Sequence, residues 1–235
     1  MNGPDPDKIK YMFSDVASSY DKANNALTFG LAHVWRKKIV KLAKTPKDGA
    51  VLDCATGTGD LAIEFKKELG EKSHVVGMDF CKEMLDLAPA KTKGMSVHFD
   101  LGDVCSLKYE DESFDTVSIA YGIRNVRDRV LGLQEMWRVL KTGGKLLILE
   151  TGEGKGFLSK PIEFYTKHVT PILGGLVTNK KEAYKYLSES SREFPSKDDF
   201  LALGKNLTQL KNSYYQTLMF GASYIYVFEK EEKNN

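Results

Sequence analysis

The stretch Val51-Leu52-Asp53-Cys54-Ala55-Thr56-Gly57-Thr58-Gly59-Asp60-Leu61-Ala62 starts apolar, breaks at two glycines and turns helical. With Ala50 it reads as a short strand, Ala50-Val51-Leu52, then a turn through Gly57 and Gly59, then a helix from Asp60. Glycine has no Cβ, so the turn can take positive φ and let a ligand approach the backbone. The start of the helix offers unpaired amides and a partial positive charge. Together they suit the polar part of a nucleotide-like cofactor at the C-terminal edge of a parallel sheet. A plain strand–helix turn with capping acids uses the same residue types.

The spacing Gly57-x-Gly59-x-x-Ala62 fits the dinucleotide fingerprint in its G-x-G-x-x-A form. Two features separate the readings. Asp53 ends the strand four residues before the first glycine, where a dinucleotide fold has a glycine close to the strand end. A second acid, Asp79, ends Val75-Val76-Gly77-Met78-Asp79, and a third, Asp103, follows Leu101-Gly102. Acids after three successive strands resemble the S-adenosylmethionine (SAM) methyltransferase pattern. That resemblance implies Asp53 near the methionine end, Asp79 with Phe80 at the ribose, and Asp103 with Val104 at the adenine. It also implies backbone approach at Gly57 and Gly59, Ala62 behind them, and Tyr20 and Ala120 bordering the cofactor.

The chain has 235 residues, enough for one large domain. Its net charge of +2 makes no strong field for nucleic acid. The three cysteines, Cys54, Cys81 and Cys105, are scattered and off any metal-like spacing. They read as reduced thiols of a cytoplasmic protein. Met1–Pro6 has neither an apolar core nor an arginine-rich run, so no targeting segment is expected. No apolar run is long enough to span a bilayer.

Residues 1–48 read as a helical cap. Phe13, Val16 and Tyr20 recur at helical spacing, Asp21–Asn25 looks turn-like, and a second helix runs from about His33 to Ala43. Residues 49–150 alternate strand and helix. Further strands are expected at Val75–Met78, Val97–Phe99, Phe114–Ala120 and Lys145–Glu150. Helices are expected over Glu83–Ala88 and over Arg129–Leu140, the latter closed by Gly143-Gly144. Near-continuous apolar strands alternating with helices predict a parallel sheet covered on both faces. Right-handed crossovers then put Asp53, Asp79, Asp103, Ala120 and Glu150 at one edge. Residues 151–205 read as a helical insertion. It includes a long aromatic helix, Phe157–Val177, interrupted near Pro171 and Gly174-Gly175, and a short helix capped by Ser196. Leu207–Met219 and Ser223–Glu229 read as a closing antiparallel pair within 206–229. All of this describes a single domain, 1–235.

Directly after strand four comes Tyr121-Gly122-Ile123-Arg124-Asn125-Val126-Arg127-Asp128. A guanidinium and an amide at this edge can hold an oxyanion or a quinol oxygen. They can equally serve the fold, with Arg124 paired to Asp128 and Asn125 capping the next helix.

Several blocks together resemble the menaquinone/ubiquinone-biosynthesis C-methyltransferase family. They begin with Phe13-Ser14-x-Val16-Ala17-x-x-Tyr20-Asp21-x-x-Asn24 and Phe29-Gly30-x-x-x-x-Trp35-Arg36. The glycine turn follows, then Asp79-Phe80-x-x-x-Met84-Leu85, then Tyr121-Gly122-Ile123-Arg124-Asn125-Val126-x-Asp128. Glu135-Met136-x-Arg138-Val139-Leu140-Lys141-x-Gly143-Gly144 and Tyr184-x-Tyr186-Leu187-x-Glu189-Ser190 complete the set, with Phe194-Pro195 after them. The resemblance covers nearly the whole chain. The Gly-Ile-Arg-Asn-Val and Tyr-x-Tyr-Leu-x-Glu-Ser blocks are its most specific parts. The chain departs from the pattern at Thr142, in Leu107-Lys108-Tyr109, and at Thr151-Gly152, where Phe-Ser is usual. It departs again at Leu218-Met219-Phe220-Gly221, where Leu-Thr-Gly-Gly is usual.

The resemblance implies an α/β, Rossmann-like class I SAM-dependent methyltransferase. Its mostly parallel seven-stranded sheet has helices on both faces and an antiparallel C-terminal strand. The implied reaction is methylation of a ring carbon of a polyprenyl quinol, with Arg124, Asn125 and Tyr121 as catalytic residues and Tyr20, Asp21 and Asn24 closing over the cofactor. The expected setting is the cytoplasm, peripheral at the inner membrane face, with no nucleic acid, no metal and room for a homo-oligomer. The aromatic helix Phe157–Val177 would line a groove for an oily tail or touch the membrane surface, or be an ordinary buried helix. Arg124 is too basic to take a proton unaided. His33 and His168 have suitable intrinsic pKa values, but nothing in the sequence brings either to the site. Other readings remain open: an NAD-dependent oxidoreductase, a SAM enzyme acting on nucleic acid or protein, and a non-catalytic subunit of a quinone-synthesis assembly.

Overall fold

The computed structural model describes residues 4–152, 159–195, 197–208 and 212–231. The sheet is built from β1 (Ala50–Cys54), β2 (His74–Asp79), β3 (His98–Leu101), β4 (Phe114–Ala120), β5 (Leu140–Thr151), β6 (Ser213–Leu218) and β7 (Ser223–Glu229). Their order is β3-β2-β1-β4-β5-β7-β6. The first five strands are parallel, and β7 runs antiparallel to both β5 and β6. A dinucleotide fold would continue with parallel strands in the order 3-2-1-4-5-6. The inserted antiparallel β7 separates this chain from that fold.

Side chains alternate between the two faces of the sheet. Val51, Leu147 and Leu149 pack with α2 (Leu31–Ala43) and α3 (Asp60–Leu69) through Trp35, Ile39, Leu61 and Phe65. Leu52, Leu146 and Ile148 face α5 (Arg129–Val139) and α9 (Lys197–Thr208) through Leu133, Met136 and Phe200. A third group of helices stands at the C-terminal edge of the strands. It comprises α1 (Pro6–Leu27), the short α4 (Lys82–Leu85), α6 (Ser159–Phe164), α7 (Thr170–Thr178) and α8 (Lys181–Glu193). Among the described residues no helix is long and apolar enough to cross a membrane.

Several local expectations change. Asp21–Asn25 is not a turn, because α1 runs on to Leu27. Ala23 and Leu27 are buried against Tyr184 of α8, and that burial outweighs the weak helix propensity of Asp and Asn. The chain turns instead at Thr28–Gly30, and α2 starts at Leu31. Gly143-Gly144 does not end α5. The helix stops at Val139, and both glycines lie inside β5, within the register shift between Leu140 and Lys145. The strand at Val97–Phe99 shifts to His98–Leu101, and the helix at Glu83–Ala88 shortens to Lys82–Leu85. In the long aromatic segment, a π-helical turn at Tyr165–Val169 precedes Pro171, while α7 passes through Gly174-Gly175 unbroken. Phe157 and the Ser196 cap lie outside the described residues.

Phe200 is fully buried, with its ring centroid 4.9 Å from that of Phe194 and 4.8 Å from that of Tyr226. It keys α9 to the sheet. Phe200→Ala is expected to lower the unfolding free energy by about 3–5 kcal/mol in urea titration, while Phe200→Leu loses less.

Candidate functional site

The glycine turn is fixed from below by two buried carboxylates. Asp53 lies within β1, since the strand extends to Cys54 rather than stopping at Leu52. Its Oδ2 accepts from the Thr56 hydroxyl and its Oδ1 from the Ser118 hydroxyl, both at 2.7 Å. Asp79, at the end of β2, accepts from Gly57 N–H at 2.7 Å and from Cys81 N–H at 2.9 Å. Thr56 N–H donates to Met78 O at 3.0 Å. The turn is therefore tied to both neighbouring strand ends before any ligand is considered.

Above it lies a cavity of about 770 Å³. Of the expected cofactor contacts, Tyr20, Gly57, Asp79, Phe80, Asp103, Val104 and Ala120 line it, as do Tyr121 and Asn125. Asp53, Gly59 and Ala62 do not. Asp53 sits beneath the turn with each oxygen engaged by a hydroxyl. Gly59 takes φ 83°, and a Cβ there would meet the Phe99 ring at 2.9 Å, so its glycine serves packing. Ala62 is fully buried in the α3 layer. Gly57 is different, because it faces the cavity at φ 57° and a Cβ would come within 3.3 Å of Met84 Cε. A backbone cradle, two acids and flanking Phe80, Met84, Val104 and Val126 suit the amino-acid, ribose and base parts of SAM.

A second, more apolar cavity of about 1430 Å³ adjoins the first, sharing Phe13, Tyr20 and Tyr121 with it. Its walls come from α1, α2, Pro161, Ile162 and Tyr165 of the aromatic segment, α8, and the β6–β7 turn. Arg124 lines it too, although only 4% exposed. Its Nη1 donates to Glu150 Oε1, and its Nε has no hydrogen-bond partner. Its guanidinium carbon stands 5.9 Å from the Tyr121 ring centroid. Tyr121 holds φ 55°, unusual for a residue with a side chain, and its hydroxyl is 3.1 Å from Ser223 Oγ.

The structural alternative for this loop does not hold. Arg124 pairs with Glu150, not Asp128, which caps α5 by accepting from Val130 N–H and Leu131 N–H. Asn125 caps nothing, and its Oδ1 accepts from the Tyr186 hydroxyl at 3.0 Å. His33 and His168 are exposed and line neither cavity.

Glu150, Tyr186 and Arg36 were assigned no role from sequence. Glu150 ends β5 at the ligand edge, and Tyr186 falls in the Tyr-x-Tyr-Leu block. Arg36 lines the second cavity and pairs with Asp60 at 2.9 Å. Asp60 also pairs with Lys91, which reaches Asp21 and Thr58, each at 2.8 Å. That network latches α1 to the glycine turn.

Burial pushes Asp53 and Asp79 up to about 6, and their hydrogen bonds hold them from rising further. A carboxylate whose pKa rises on folding favours the fold while protonated. That contribution is complete below about pH 4 and is lost as pH climbs through 6. Carboxyl carbon NMR should find both groups titrating near 6. The fall in stability from pH 4 to 6 should be shallower in Asp53→Asn than in wild type.

The chain matches the ubiE/COQ5 methyltransferase family over residues 1–230. It is 48% identical over 232 residues to the ubiquinone/menaquinone biosynthesis C-methyltransferase UbiE of Bdellovibrio bacteriovorus, covering 96% of this chain and 97% of that protein. It is 35% identical to the demethylmenaquinone methyltransferase of Staphylococcus carnosus over 99% of this chain and 97% of that one. Among solved structures, a SAM-dependent methyltransferase of Thermotoga maritima, a possible histamine N-methyltransferase, superposes with a TM-score of 0.68. That likeness, at 20% identity over 94% of this chain and 99% of the other, concerns the fold alone. The sheet order, the two joined cavities and the full-length match agree: this chain belongs to the ubiE/COQ5 methyltransferase family.

Proposed function

We propose that this SAM-dependent methyltransferase methylates a ring carbon of a polyprenylated quinol, converting demethylmenaquinol to menaquinol or acting on the corresponding ubiquinol precursor. The observation that carries the reading is the junction of the two cavities at Tyr121. A glycine-floored chamber carrying Asp79 and Asp103 meets a larger, more apolar one there, with a buried guanidinium in the second wall. When bound, SAM supplies an electrophilic methyl on a sulfonium that leaves as a neutral thioether.

The chain's own residues then have the following roles. Gly57 receives the methionine portion along its backbone. Asp79 takes the ribose hydroxyls with the oxygen lone pairs that Gly57 and Cys81 leave free. Asp103 and Val104 border the base. Arg124, held by Glu150, presents its guanidinium to the quinol oxygen. As that hydroxyl gives its proton to solvent, charge spreads onto the adjacent ring carbon, and a fixed guanidinium stabilises the oxyanion without reorganising. Once the carbon has taken the methyl, its own proton leaves to solvent and the oxygen is reprotonated, restoring the aromatic quinol. Asn125, oriented by Tyr186, and Tyr121 position the ring at the junction. Phe13 and Tyr20 close α1 over both chambers and help exclude water. The apolar walls suit a prenyl tail.

Asp79→Ala should weaken SAM binding at least roughly tenfold by calorimetry; unchanged affinity removes Asp79 from the cofactor site. Arg124→Ala should keep SAM affinity and lower kcat by about 10²–10³-fold. The reaction itself is tested with methyl-labelled SAM and two acceptors, demethylmenaquinol and the demethylated ubiquinol precursor. Label on a ring carbon of either establishes it and identifies the head group. No label on either, with SAM bound, refutes it.

A further inference from the structure

The acceptor cavity is apolar along most of its wall, yet two charged side chains line it, and both are guanidiniums. Arg124 is the one placed beside the quinol oxygen. The other is Arg36, on α2. Among the described residues no carboxylate lines this cavity. Each guanidinium has its acid outside it instead, Glu150 for Arg124 and Asp60 for Arg36, the latter at 2.9 Å. A planar guanidinium held by an acid on one side suits an oxygen on the other. Two of them on different elements, with no acid in the same wall, suit a ligand with two electron-rich oxygens.

The ion pair with Asp60 does not by itself explain Arg36. Asp60 also pairs with Lys91, and Lys91 reaches Asp21 and the Thr58 hydroxyl, each at 2.8 Å. Those contacts latch α1 to the glycine turn with or without Arg36. Asp60 takes one nitrogen of Arg36, Nη2, in a side chain that carries several donors in a fork.

Position joins the two guanidiniums. Tyr20 and Tyr121 line both cavities. Burial raises both hydroxyls, and the positive charges of Arg124 and Arg36 each work against that rise. Arg36 and Arg124 therefore act on the same two rings, where the methyl donor and its acceptor meet.

A para-quinol carries one oxygen at each end of its ring. Arg124 takes the oxygen beside the accepting carbon, whose charge grows during the reaction. The opposite oxygen stays a hydroxyl throughout and needs only a donor. A ring held at one oxygen can pivot about it and swing the accepting carbon out of line with the methyl. A ring held at both cannot. We propose that Arg36 donates to the second quinol oxygen, para to the one held by Arg124, and so fixes the angle at which the ring carbon meets the methyl. This assignment rests on the quinol reading.

The test compares Arg36→Met with wild type on two pairs of acceptors, one pair on a naphthalene ring and one on a benzene ring, each with a single prenyl unit. In each pair one compound is the para-diol. The other is the monophenol that keeps only the hydroxyl beside the accepting carbon. Comparing the diol-to-monophenol ratio of kcat/KM between enzyme forms cancels the intrinsic reactivity of the rings. Wild type should prefer the diol. Arg36→Met should lower kcat/KM on the diol about tenfold and change the monophenol by about twofold or less. Arg36→Lys should recover part of the loss. The Arg36–Asp60 pair is partly exposed and Lys91 remains on Asp60, so melting temperature and SAM affinity by calorimetry should match wild type. A variant that keeps the wild-type ratio overturns the proposal, because a structural defect weakens both acceptors alike. Weakened SAM binding with the ratio unmoved also overturns it and gives Arg36 to the cofactor carboxylate. In both cases methyl transfer to a diol leaves the quinol reading standing. No transfer to either diol by wild type with SAM bound refutes that reading and this assignment with it.

Discussion

The hydrogen bond from Gly57 N–H to Asp79 Oδ2, 2.7 Å long, anchors the arrangement of the site. It joins the glycine turn after β1 to the carboxylate at the end of β2. Asp79 also accepts from Cys81 N–H, so one buried acid sets the start of two successive loops. Asp53 adds a second tie from below through Thr56 and Ser118, linking the turn to β1 and β4. Burying carboxylates is unfavourable unless hydrogen bonds compensate, and here one donor to each acid, Thr56 to Asp53 and Gly57 to Asp79, belongs to the turn itself. The chain thereby prepays the ordering of its cofactor loop, and α1 can close over a surface that is already shaped.

A parallel constraint organises the acceptor side. Arg124 and Glu150 come from the loop after β4 and the end of β5, adjacent parallel strands, so their ends meet at one edge. A buried guanidinium without its carboxylate would carry a severe desolvation penalty. With it, the charge is held in place while Nε stays without a hydrogen-bond partner. The same edge carries Tyr121 at positive φ, with its ring between the two cavities. Backbone strain, an ion pair and the junction of the chambers coincide, a combination expected where geometry serves chemistry more than stability. The helices α1, α7 and α8 add little to the sheet. They complete the cavity walls, which is why this part of the chain interrupts an otherwise regular alternation.

Much of this was legible in sequence for a physical reason. Parallel strands buried on both faces must be nearly continuous apolar runs, and Val75–Met78, Phe114–Ala120 and Leu146–Leu149 are such runs. Acids that follow those runs must lie at one edge, so Asp79 and Asp103 could be placed at the site before any coordinates. Asp53 could not be placed as well. The strand runs on past Leu52 through Asp53 to Cys54, so the carboxylate lies beneath the turn, and strand ends are the least certain feature of a pattern. The turn expected at Asp21–Asn25 failed because local propensity is blind to Tyr184, distant in sequence, against which Ala23 and Leu27 pack. The alternative pairing of Arg124 with Asp128 looked to a neighbour in sequence, whereas its partner is Glu150, a neighbour only in the sheet.

The sequence by itself determined the fold class, the covered parallel sheet, the glycine turn and the identity of the residues gathered at its edge. These follow from periodicity and chirality, which act locally and identically along any chain. Tertiary structure alone decided which acid supports and which faces the cavity, which carboxylate holds Arg124, and that two chambers meet at Tyr121. It alone brought Arg36 and Arg124 into the wall of one chamber. Those outcomes depend on distances between residues far apart in the chain. Such distances exist only once strand register and helix packing are fixed.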